Sequence, residues 1–276
     1  LMSHLGENLA SKGFVTVSID HAESTYDDRQ AFASTLYHRS LDQLFVVREM
    51  ARLGASGSGS PLVGVVDAAR TGVVGYSMGG YGVMNTVGGS YSTAAVTAPG
   101  APPNRLLAER TTASPAYRAS LDPRVRAVIA IGPWGMQRGY WDAEGLAGVR
   151  TPVLFVAGSA DEISGYEQGT RALFTGVVHA DRYLLTFLQA GHNAAAPYPA
   201  PAEVLASGRT TAYAHYADPS WDTVRMNNIL AHFATAWFEL HLKGDGARAG
   251  YLGGDWKGFA KGAAVGLRLE HASAAP

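Results

Sequence analysis

The sequence contains no cysteine in 276 residues. That excludes disulfides, a thiolate nucleophile and cysteine-based metal sites, and it leaves the compartment open. No apolar run approaches the ~18 residues that a membrane-spanning helix needs. Neither sign of charge dominates: Lys plus Arg is 22, Asp plus Glu is 23, and the net charge is −1. Without a basic block or polybasic tail, nucleic acid is a poor candidate for the main partner. The length suits one large α/β domain with a proper core.

What is present is an alternation of short apolar runs with helical patterns. Leu1, Leu5 and Leu9 stand at helical spacing, and Gly13 is a plausible stop. The chain thus opens inside a helix, and the expectation is that its N-terminal strands are missing. Phe14–Ile19 is expected to be a strand, followed by a polar loop. Ser40-Leu-Asp-Gln43 has the pattern of a capping box that opens a helix, with Leu41, Leu44, Phe45 and Met50 on one face. Gly54–Ser60 is a flexible loop. Thr71–Tyr76 reads as a strand and Met78–Val87 as a helix ended by Gly88-Gly89. Residues 90–123, rich in Ala, Thr and Pro, read as an excursion from the sheet or a partial lid.

Three further apolar runs, Val125–Ile131, Val153–Ala157 and Tyr183–Leu188, are continuous, as buried parallel strands are. A helix is expected over Thr223–Leu242, with Ile229, Phe233 and Trp237 on its apolar face. No internal repeat is seen. Strands separated by helices predict a mostly parallel sheet covered on both faces, with ligands at the carboxyl ends of the strands.

Chemistry-bearing residues stand at those ends. Gly75-Tyr76-Ser77-Met78-Gly79 lies between a strand and a helix, which is the context of a nucleophile elbow. Gly75 and Gly79 are expected where a Cβ would collide. The Met78 N–H, at the start of the helix, can stabilise an oxyanion. A serine hydroxyl needs a base, and the base needs an orienting acid. Asp161 follows Val153–Ala157, with Glu162 as its rival, and His192 follows Tyr183–Leu188. A glycine-rich turn with a solvent-facing serine, a turn aspartate and an idle loop histidine are the plainer readings. His21, after the first strand, is a rim or capped loop residue. His232 and His241 lack metal-ligand spacing, and no metal or organic cofactor is called for.

The set "GYSMGG", "GSADE" and "AGHNA" resembles the serine α/β-hydrolase superfamily. "LASKGFVTVSIDHAEST", "RSLDQLFVVREM" and "RMNNILAHFATAWFELHLKGD" are similar to bacterial predicted dienelactone hydrolases. They also resemble platelet-activating-factor acetylhydrolases and cutinase-type polyester hydrolases. The resemblance runs from Leu5 to about Asp245. It implies Ser77 as nucleophile, His192 as base, Asp161 as acid and Met78 as an oxyanion donor. It also implies that Trp134, in Pro133-Trp134, lies beside the substrate acyl group; the alternative for Trp134 is packing.

Two departures stand out. Authentic dienelactone hydrolases use cysteine, so that name does not give the substrate. The loop that supplies the second oxyanion donor in family members is expected upstream of this sequence. The family leans toward a secreted or periplasmic location. The expected activity is serine carboxylic-ester hydrolysis on a small or polymeric ester. Competing readings are a catalytically impaired binding protein or fragment, and an acyltransferase using the same residues.

Overall fold

Unbroken apolar runs can bury both faces inside a sheet, and three of the five strands here are buried along nearly their whole length. A computed structural model describes residues 2–24, 31–194, 200–253 and 266–276. The strands are β1 (Thr71–Tyr76), β2 (Val125–Ile131), β3 (Val153–Gly158), β4 (Arg182–Phe187) and β5 (Leu267–Ala272), in spatial order 1-2-3-4-5. The first four pair in parallel, and β5 runs antiparallel to β4. This is the α/β-hydrolase fold, a mostly parallel sheet with helices on both faces.

The pleat sends alternate residues to two cores. On one face Val128, Ala130, Val153, Phe155 and Ala157 pack with Tyr81, Val83 and Met84 of helix α3 (Met78–Thr86). Helix α2 (Phe32–Gly54) covers that face through Leu36 and Val47. On the other face Ala127, Ile129, Ile131, Leu154 and Val156 meet α4 (Thr223–Lys243), with Phe233 and Trp237, and α1 (Ser3–Ala10), with Leu5 and Leu9. Asp222 caps α4 by accepting from the Arg225 N–H at 2.7 Å, and Gly244 ends it in the left-handed conformation. Among the described residues no helix is long and apolar enough to cross a membrane.

Several local expectations fail. Phe14–Ile19 carries no strand pairing, and Val15 and Val17 are exposed. Its β-type composition is real, but a strand exists only with a neighbour, and β1 pairs with β2 alone among the described strands. Ser40 does not open a helix. It lies inside α2, whose first residue is Phe32, and its buried hydroxyl has no partner among the described residues. Gln43, rather than reaching back to Ser40, donates to the Gly79 carbonyl at 3.2 Å and accepts from the Thr86 hydroxyl at 2.7 Å. Phe45 points to solvent. β5 alternates apolar with charged residues and has no continuous apolar run to mark it in the sequence. Residues 90–123 hold no strand and lie partly in the core, with Tyr91, Leu107 and Tyr117 buried. Leu1 lies outside the described residues.

Candidate active site

The carboxyl ends of β1 to β4 form one rim, and each contributes to a single cluster. Past β1, Ser77 continues the ladder by donating its N–H to the Ile131 carbonyl at 2.9 Å. It then turns at φ 53°, ψ −113°, a backbone region that non-glycine residues rarely occupy. The turn is sharp because Gly75 permits it: a Cβ there would lie 2.2 Å from the carbonyl carbon of Gly79. Gly79 departs from expectation, since a Cβ on it meets nothing within 4 Å. The second close approach belongs to Gly80, whose Cβ would stand 2.8 Å from Pro133 Cα. After the turn, Met78 opens α3, where a helix leaves its first N–H groups without intrahelical acceptors.

Past β3, the chain folds Asp161 inward. Its Oδ1 accepts from the N–H groups of Ile163 and Ser164 at 2.9 and 2.8 Å. Its side chain is wholly buried. Past β4, the tight turn at Gln189 (φ 64°) leads to His192. The β3 end and this loop touch so closely that a Cβ on Gly158 would lie 2.2 Å from the Ala190 and Gly191 carbonyl oxygens.

The structure brings Ser77, His192 and Asp161 together. His192 Nε2 is 2.9 Å from Ser77 Oγ, and His192 Nδ1 is 3.0 Å from both Asp161 oxygens. A carboxylate can only accept, so the network assigns the ring proton to Nδ1 and leaves the Nε2 lone pair for the serine hydroxyl. Glu162, the rival acid, does not reach the ring; its Oε2 accepts from the His192 backbone N–H at 3.3 Å.

Trp134 sits beside the cluster through its backbone, whose N–H donates to the Ser77 carbonyl at 3.2 Å. Its half-buried ring lies edge-to-face with Phe32, 5.5 Å between centroids, and packs on Tyr140 and Tyr81. The Trp134 ring thus packs on three aromatic neighbours and stays partly exposed. Burial raises the Tyr81 and Tyr91 hydroxyls well above the usual phenol range, and as neutral groups they form a chain, Tyr81 donating to the Tyr91 hydroxyl at 2.6 Å and Tyr91 to the Leu36 carbonyl at 2.8 Å. His21 pairs with Asp42 of α2 at 2.7 Å, and burial lowers its pKa.

Three contributors escaped the sequence reading. The Tyr76 ring lies 5.2 Å from that of His192, tilted by 33°, and its hydroxyl donates to Asn193 Oδ1 at 2.7 Å. Gly132, at φ 47°, forms the floor under Asp161 and His192. Asp218 accepts from the Gly191 N–H at 2.8 Å. The "GPWG" stretch after β2 marks Gly132, and the Tyr76 position follows from its place in the elbow. Nothing local marks Asp218.

No curated protein matches the chain. The family comparison does return a match, over 113 of the 276 residues. It takes in Ser77 and Met78, whereas Trp134, Asp161 and His192 lie beyond it. Over residues 1–113 the chain matches the model of the PETase family, described as PET hydrolase-like, an ester-hydrolysing group of the α/β-hydrolase type.

Proposed function

We propose that this chain is a serine carboxylic-ester hydrolase working through an acyl-enzyme. The observation that carries this reading is the contact line from Ser77 Oγ through His192 to Asp161, at 2.9 and 3.0 Å. Asp161 holds the Nδ1–H, so Nε2 takes the hydroxyl proton as Oγ attacks the ester carbonyl carbon. The carbonyl oxygen becomes an oxyanion and receives the Met78 N–H. The ester C–O bond then breaks, and the departing alcohol takes the proton from Nε2. Water enters, gives a proton to Nε2 and adds to the acyl carbon. Collapse releases the acid and returns the proton to Ser77. Buried Asp161 stabilises the imidazolium in both halves. The residues call for no metal or organic cofactor.

The same reading treats the chain as one domain in which residues 90–123 wall the Trp134 side. Ser92 donates from its hydroxyl to the Gly139 carbonyl at 2.7 Å and from its N–H to the Tyr140 carbonyl at 2.9 Å. Trp134 then borders the acyl group. The PET hydrolase-like match makes an aromatic polyester the first polymer to test.

The test is hydrolysis of p-nitrophenyl esters together with labelling by a fluorophosphonate. Ser77→Ala is expected to lower kcat by a factor on the order of 10⁶ and to abolish labelling. Equal hydrolysis by wild type and Ser77→Ala would sink the assignment. Labelling without turnover would favour the impaired binding protein, and ester exchange with added alcohol would favour the acyltransferase.

A further inference from the structure

The His192 loop is held from outside by a segment 27 residues away, and the hold is too specific to be packing alone. Asp218 Oδ2 accepts from the Gly191 N–H at 2.8 Å. Its other oxygen, Oδ1, accepts from the N–H groups of Ser220 and Trp221, both at 2.9 Å. The Trp221 indole N–H donates to the Leu188 carbonyl at 2.8 Å, and its ring stands edge-to-face on Phe187 at 5.1 Å. Residues 218–221 thus grip both ends of the 188–191 turn. Two residues further on, Asn193 donates to the carbonyls of Ala217, at 3.2 Å, and Ala214.

This clasp is itself anchored. Asp222, the next residue, caps α4, whose apolar face is buried against β2 and β3. The loop is therefore referenced to β4 at its start and to α4 through Asp218. The Gly191 bond is adjacent to the residue whose ring must stay within 2.9 Å of Ser77 Oγ. Hydrogen bonds to an ionised carboxylate are the strong class, and a displacement near 1 Å at the reacting atoms costs on the order of a hundredfold in rate.

We infer that Asp218 is a positioning residue for His192, setting the ring against Ser77 through the Gly191 N–H. The inference rests on the hydrolase reading for its consequence in rate, but not for its geometry. Asn at position 218 separates the two jobs of the carboxylate. Its single carbonyl oxygen can serve the Ser220 and Trp221 donors and keep the local turn. Its amide NH₂ then faces the Gly191 N–H, donor against donor.

The experiment compares wild type, Asp218→Asn and Asp218→Ala in ester hydrolysis, thermal unfolding and hydrogen exchange of the peptide covering 188–193. The expectation for Asp218→Asn is a kcat lower by about tenfold, KM within about twofold and little change in melting temperature. Exchange is expected to accelerate in 188–193 and not in β1 to β3. Unchanged exchange in that peptide overturns the inference, whatever the esterase result. Faster exchange with unchanged kcat also overturns it. If wild type and Ser77→Ala hydrolyse esters equally, the hydrolase reading fails by itself, and exchange alone decides the positioning role. Should Asp218→Ala not fold, Asp218→Asn, which keeps an acceptor for the Ser220 and Trp221 N–H groups, carries the same three measurements.

Discussion

Gly132 lies directly against His192. A Cβ on Gly132 would stand 3.4 Å from both Nδ1 and Cε1 of the ring and 3.3 Å from Asp161 Oδ2. The residue is also held at φ 47°, where an L side chain is strained by about 1–2 kcal/mol. Ser164 fastens it by donating its hydroxyl to the Gly132 carbonyl at 2.7 Å. Two independent pressures therefore require glycine at the floor of the cluster. Gly132→Ala is expected to lower kcat by about tenfold or more and the melting temperature by several degrees. Steady-state kinetics beside thermal unfolding checks this, and an active, equally stable variant would refute it.

In the proposed mechanism Asp161 fixes the imidazole tautomer. Asn at 161 can present its NH₂ to Nδ1, which then favours the proton on Nε2, pointing at Ser77. The expected loss in kcat is about 10⁴-fold with little loss of stability. Glu162→Gln leaves the ring contact untouched and is expected to cost far less. Comparable losses at 161 and 162 would refute the assignment.

Stability has a pH dependence of its own. His241 is half-buried, its ring lies edge-on to Trp237 at 4.1 Å between centroids, and its buried Nε2 has no partner among the described residues. Burial lowers its pKa below the ordinary value, with only the Asp181 charge opposing. The unfolded chain then binds a proton that the folded chain refuses. The stability is complete above the ordinary histidine value, about 6.5, and is lost as pH falls through the lower folded value. His4 and His232 shift in the same direction through burial. The melting temperature is expected to fall between pH 7.5 and 5, and less steeply in His241→Phe, which keeps the ring and removes the titration. Parallel curves for the two proteins would contradict this.

Trp134 offers an aromatic edge next to Phe32 while its other side packs on Tyr140 and Tyr81. Trp134→Ala is expected to raise KM for benzoate esters more than for acetate esters, because stacking is worth about 0.5–1.5 kcal/mol beyond buried area. Equal changes for both esters, accompanied by a drop in melting temperature, would assign the residue to packing alone.

The amino-acid sequence by itself determined β1 to β4 to within a residue or so, and the order in which Ser77, Asp161 and His192 follow them. Buried parallel strands need unbroken apolar runs, and an elbow needs glycines where backbones cross; both demands are local and so are written locally. Tertiary structure decided the rest. Phe14–Ile19 has the composition of a strand but no partner, since a ladder is a property of two segments. Ser40-Leu-Asp-Gln43 has the spacing of a cap, yet Gln43 bonds across to α3, 36 residues away in sequence at Gly79. The choice of Asp161 over Glu162 rested on which neighbouring carboxylate turned inward, and neighbours in sequence do not differ in composition enough to show it. The clasp at Asp218 joins Gly191 across 27 residues of chain, so no window short enough to scan by periodicity contains both ends of the bond.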